Sequence, residues 1–63
     1  MNLPFHAKDG TIYNIDLALS KDGKGIVAVV SVGGTKLHTT EPFGDETDAH
    51  YEGLQWAKKH QNS

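Results

Sequence analysis

Two glycine-bearing dipeptides, Asp22-Gly23 and Gly33-Gly34, cut the first two-thirds of this chain into three segments of β-forming residues, and Gly44-Asp45-Glu46-Thr47-Asp48-Ala49 then opens one amphipathic helix. Dipeptides of this kind take positive φ and close tight hairpins. With Asp22 and Gly23 as the first loop, Leu19 faces Ile26, Leu17 faces Ala28, Ile15 faces Val30 and Tyr13 faces Val32, so every pair is apolar. With Gly33 and Gly34 as the second, Val32 faces Thr35, Val30 faces Leu37 and Ala28 faces Thr39. Both registers bury the same side of the middle strand. A one-residue slip would turn every side chain over, so their agreement supports both turns. A longer loop through 21–25 is the alternative closure of the first hairpin.

The opposite side of the sheet is expected to carry Ala18, Val27 and Thr40 in one row, Asp16, Val29 and His38 in the next, and Asn14, Ser31 and Lys36 in a third. Such a face is too polar for a core, yet Val27 and Val29 stand at its centre with no segment assigned to cover them. Antiparallel sheets commonly leave one face in water, which makes two stray valines unremarkable. The sharper reading is a self-association or partner surface.

Upstream, Asp9-Gly10 is a third turn signal, and Phe5-His6-Ala7-Lys8 before it forms either a short edge segment or an arm. Downstream, Pro42 lacks the N–H that a strand ladder requires and ends the third segment. Asp45 is the expected N-cap, Glu46 and Asp48 complement the positive end of the helix dipole, and Lys58, Lys59 and His60 sit at the other end. Trp56, Ala49, His60, Gly53, Ala57, His50 and Leu54 fall on one helix face, and Asp48, Glu52, Gln55, Lys58 and Lys59 on the other. Glycine at position 53 costs about 1 kcal/mol relative to alanine. Its place on the buried arc predicts direct contact between helix and sheet at a bulky residue such as Tyr13 or Ile15.

At 63 residues the chain has room for one domain, 1–63, with a small core. It has no cysteine, so disulfides are excluded, and no Cys/His pattern of zinc-site spacing is present. Oligomerisation is the remaining route to added stability. Six lysines against eight carboxylates, with no arginine, argue against nucleic-acid binding, which rests on neutralising phosphates. The stretch from Ile26 to Val30 is too short to cross a bilayer, and the first residues hold neither a basic cluster nor a long apolar run. A soluble, cytoplasmic protein is expected, with no membrane partner.

No catalytic constellation stands out. His50 and His60 lie ten residues apart on the helix, roughly 15 Å along its axis, so they do not share an ion. His38 and Asp16 are expected two strand spacings apart, roughly 10 Å, which is beyond hydrogen-bond reach. Gly23-Lys24-Gly25 and Gly33-Gly34-Thr35-Lys36 lead into strands, whereas phosphate-cradling loops feed a helix N-terminus. Trp56 and Tyr51 read as core edge and surface, though an exposed Trp56 would favour an interface. No serine has a base and an orienting partner arranged by sequence. No enzyme activity, cofactor or metal is expected.

The run Phe5-x-x-Lys8-Asp9-Gly10-x-x-Tyr13-x-Ile15-x-Leu17, then Asp22-Gly23, then Ala49 followed by Gly53-Leu54 and Lys58-Lys59, resembles the YegP-like family of small bacterial β-β-β-α units. Such units usually occur as tandem or dimeric pairs, so the resemblance implies a dimer; the family has no established biochemical role and implies no reaction. The chain departs from it in Glu41-Pro42-Phe43, in the acidic first helical turn and in its single copy. A second resemblance is to the HicB-type antitoxin module, also β-β-β-α, through Gly44, Thr47 and Ala49 at the helix start. That module usually carries a DNA-binding segment after it; without one the resemblance implies no autonomous repressor.

The sequence therefore predicts an α+β domain, a three-stranded antiparallel β-meander packed against one C-terminal α-helix. Its expected core is Tyr13, Ile15, Leu17, Leu19, Ile26, Ala28, Val30, Val32, Leu37, Ala49, Gly53, Leu54 and Ala57. The expected function is a non-enzymatic interaction module that pairs with itself or another protein, with Asp16, Ala18, Val27, Val29, His38 and Thr40 as interface candidates. The alternative is a HicB-like antitoxin or RNA-associated small domain.

Overall fold

Gly33 and Gly34 both adopt left-handed backbone, at φ 57° and 84°, which side chains disfavour and a two-residue hairpin turn demands. In this computed structural model, which describes residues 4–61, that turn joins β3 (Ile26–Val32) to β4 (Thr35–Thr39). The preceding hairpin joins β2 (Ile12–Leu19) to β3 with the pairing expected from sequence, Leu19 opposite Ile26 through Ile15 opposite Val30. The loop is the longer alternative. Ser20 N–H donates to the Gly25 carbonyl at 2.9 Å, closing a loop over residues 21–24 that leaves the register unchanged.

The sheet has four strands rather than three. β1 (Phe5–His6) pairs antiparallel with β2, setting Phe5 opposite Tyr13 and His6 opposite Ile12. Asp9-Gly10 closes this extra hairpin: Gly10 N–H donates to the Ala7 carbonyl, Ala7 N–H to the Thr11 carbonyl, and the Asp9 carboxylate accepts the Thr11 N–H at 2.9 Å. The strand order is β1-β2-β3-β4, an antiparallel meander.

The β3/β4 ladder departs from expectation after two pairs. Val32 lies opposite Thr35 and Ser31 opposite Lys36, but Val30 then pairs with His38 and Val29 with Thr39, leaving Leu37 as the extra residue of a bulge. From that point β4 is turned over. The expected pairs Val30–Leu37 and Ala28–Thr39 are not formed, and Leu37, expected in the core, is 39% exposed. The slip places the His38 ring on Trp56 and lets Thr40 Oγ1 accept the Ala28 N–H at 3.0 Å. Pairing resumes beyond Pro42 as two reciprocal hydrogen bonds between Ile26 and Phe43, each 2.8 Å.

The helix α1 (Glu46–Gln61) begins as its sequence predicts. The Asp45 carboxylate accepts the Thr47 N–H at 2.8 Å, and its carbonyl accepts the Ala49 N–H. Ala49, Gly53 and Ala57 recur every four residues and form the buried stripe, which lies mainly over β3 and β2. A Cβ at Gly53 would lie 2.9 Å from Ala28 Cβ and 3.0 Å from Ile15 Cγ2, so the predicted close approach occurs at Ile15 and, more tightly, at Ala28. Beneath the helix Tyr13, Ile15, Ala28 and Val30 are buried, with Leu17, Ile26, Val32, Leu54 and Trp56 partly so. Leu19 is the second correction to the expected core. It is 72% exposed at the hairpin end of β2, where the only described helical residue bordering the hollow it shares with Leu17 and Ile26 is Glu46, the first of α1.

Candidate interaction surface

With no helix on it, the outer face of the sheet carries the side chains that alternate with the core. Ala18 pairs with Val27, Asp16 with Val29, and Asn14 with Ser31 across β2 and β3; Thr39 and Lys36 continue the last two rows on β4. Four of the six interface candidates, Asp16, Ala18, Val27 and Val29, therefore share this face. His38 does not. The bulge at Leu37 turns it to the helix side, where its ring stacks on Trp56 with centroids 4.7 Å apart. Thr40 is also displaced from its expected row: it is buried at the end of the ladder opposite Ala28, donates to the Glu41 carbonyl, and borders both faces.

The outer face is hollowed. Val27 and Val29 form the floor of a depression of about 590 Å³, with Ala18, Leu19, Thr39, Thr40 and Pro42 around it and Lys21, Asp22 and Lys36 at the rim. Val27 is only 8% exposed although no element among the described residues lies above it, since its neighbours in the depression shelter it. Alternation in the sequence identified the valine floor. Leu19 and Pro42 escape that signal, because parity puts Leu19 on the core side and the missing N–H of Pro42 marks only a strand end.

The rim is held by local hydrogen bonds. Asp22 accepts from the Ser20 hydroxyl and from the Lys24 N–H, and Ser20 Oγ accepts the Gly25 N–H. The Ser20 hydroxyl bond, followed by the Lys24 amide, holds the Asp22 carboxyl below the usual carboxylate range. Asp9 is lowered in the same way, first by the Thr11 amide. These carboxylates lock turns, and the one Ser–Asp contact of the first hairpin belongs to its loop.

On the other face, five rings make a continuous series. Phe5 and Tyr13 meet at 6.1 Å, Tyr13 meets His60 edge-on at 6.0 Å, and Trp56 stacks in parallel with both His60 and His38 at 4.7 Å. A smaller hollow of about 360 Å³ lies between β4 and α1, bordered by His38, Glu41, Glu52, Gln55, Trp56 and Lys59. The ring contacts of Trp56 make it part of the packing between sheet margin and helix. Among the described residues, no group of three or more His, Asp or Glu side chains is placed to hold a metal ion. His50 Nε2 is buried without a hydrogen-bond partner.

Fold and face together define an α+β sheet-and-helix unit whose second sheet face, polar at its margins and valine-floored at its centre, carries no helix among the described residues. Compared with protein families, with curated proteins and with solved structures, the chain finds no match in any of the three. No helix among the described residues is long and apolar enough to cross a membrane.

Proposed function

We propose that this chain is a non-enzymatic interaction module that pairs with a second copy of itself through the outer face of its sheet. The observation that carries this reading is the valine-floored depression at the centre of a sheet whose opposite face is already covered by α1. Ile15 and Val30 are the only large side chains fully buried among the described residues, so covering the valine-floored depression adds burial to a small core.

The sheet edges support the face as the surface of contact. β1 has two residues, and β4 carries a bulge and Lys36, devices that blunt edge-to-edge pairing. The resemblance to YegP-like units, which occur in pairs, points the same way. A cysteine-free chain needs no oxidising compartment, which supports a cytoplasmic setting.

Size limits the strength of the pair. Three strands about 4.8 Å apart and about 23 Å long present roughly 330 Å² in projection, below the ~800 Å² per partner of a standard interface. The pair is therefore weak. Sedimentation equilibrium between about 10 μM and about 1 mM should show the mean mass rising toward two chains. Val29→Asp, which sets a charge on the depression floor, should hold the mass at one chain with the circular dichroism unchanged. A wild-type mass that stays at one chain throughout overturns the reading.

A further inference from the structure

The charges flanking the valine floor fix how two copies would face each other. Asp16 stands on β2, beside Val29; Lys36 stands on β4, beside Ser31; both are exposed, and they lie on opposite sides of β3 one row apart. A face-to-face pair has its two-fold axis in the plane between the sheets, and the two limiting directions differ in charge. An axis across the strands sets β2 over β2 and brings Asp16 beside its own copy. An axis along β3 sets β2 of each chain over β4 of the other, and Asp16 then meets the partner's Lys36 twice by symmetry.

Resting on the self-pairing reading above, we propose that the two-fold axis of the pair runs along β3, with Val27 and Val29 on the axis and an Asp16–Lys36 ion pair on each side. Sheets packed at about 10 Å leave room for a lysine stem to span one row of the pleat, about 7 Å, to the facing carboxylate. In an interface this small, two rim pairs are a visible share of the association energy.

The test is a charge exchange read by sedimentation. Asp16→Lys and Lys36→Asp should each weaken pairing by about tenfold, and the double variant should return to within about threefold of wild type. Raising the salt to about 1 M should shrink these differences. Both side chains are exposed, so the fold is not at stake. The crosswise axis predicts instead that Asp16→Lys leaves pairing unchanged, because one like-charge contact replaces another. That result, or a double variant no better than the singles, overturns the axis. If Val29→Asp still abolishes pairing in that case, the outer face survives as the interface and only the orientation fails; a wild-type chain that never pairs overturns both.

Discussion

Gly53 is the residue where helix and sheet come closest, and its conservatively drawn replacement is the most informative. Gly53→Ala improves helix propensity by about 1 kcal/mol, but the new methyl meets Ala28 Cβ at 2.9 Å, and a strand Cβ gives way only if the strand or the helix moves. Overpacking of this kind costs about 1–3 kcal/mol, so urea denaturation should show no gain and a net loss of up to about 2 kcal/mol. His50 offers the opposite sign. Its unpartnered Nε2 is a buried polar atom without compensation, and His50→Leu should leave stability unchanged or raise it by up to about 1 kcal/mol in the same measurement. Asp9 and Asp22 set the acid response. Their carboxyls are depressed in the folded chain, so the stability they add is fully present above about pH 4 and is lost as the pH falls through their folded values. Asp22→Asn should lower the melting temperature at neutral pH and flatten its decline on acidification; an unchanged acid slope would remove Asp22 from this role.

Among the elements, β4 separates what the sequence shows from what it conceals. The β2/β3 pairing, the Gly33-Gly34 turn and the Asp45 cap were legible because each rests on contacts local in sequence or on turn chemistry at named residues. The extra strand β1 was legible only in part: Asp9-Gly10 announced a turn, but two paired residues are too few to show a period. The bulge was hidden. Alternation along Thr35–Thr39 points Leu37 inward, and burying a leucine at an edge is worth at most about 1.5–3 kcal/mol. Against it stand the stack of His38 on Trp56, about 0.5–1.5 kcal/mol, and the Thr40 hydroxyl, which spares the buried Ala28 N–H a penalty of about 1–3 kcal/mol. Both competitors are long-range or involve side chains that alternation does not weigh, and the slip turns His38 to the helix side and shifts Thr40 by one row while leaving it at the border of the depression. Thr40→Val keeps the shape and removes the acceptor, and should cost about 1–3 kcal/mol in chemical denaturation. Deleting Leu37 removes the bulge and leaves Lys36 opposite Ser31 and His38 opposite Val30 in unbroken alternation, so His38 stays on Trp56 and the fluorescence should match wild type; a marked change in emission would refute the account of the slip.

At the scale of the whole molecule, folding and pairing are linked. Anything that binds the folded chain alone raises its stability by mass action, so the melting temperature should climb with protein concentration, and Val29→Asp should abolish that climb. The five rings from Phe5 to His38 run from one sheet margin across α1 to the other, and the only indole of the chain lies among them in contact with two imidazoles. Nature has thus wired the one indole to the joint between helix and outermost strand. Its glow gauges whether that joint is seated, and a margin that loosened ahead of the rest would announce itself optically while the helical dichroism still stood.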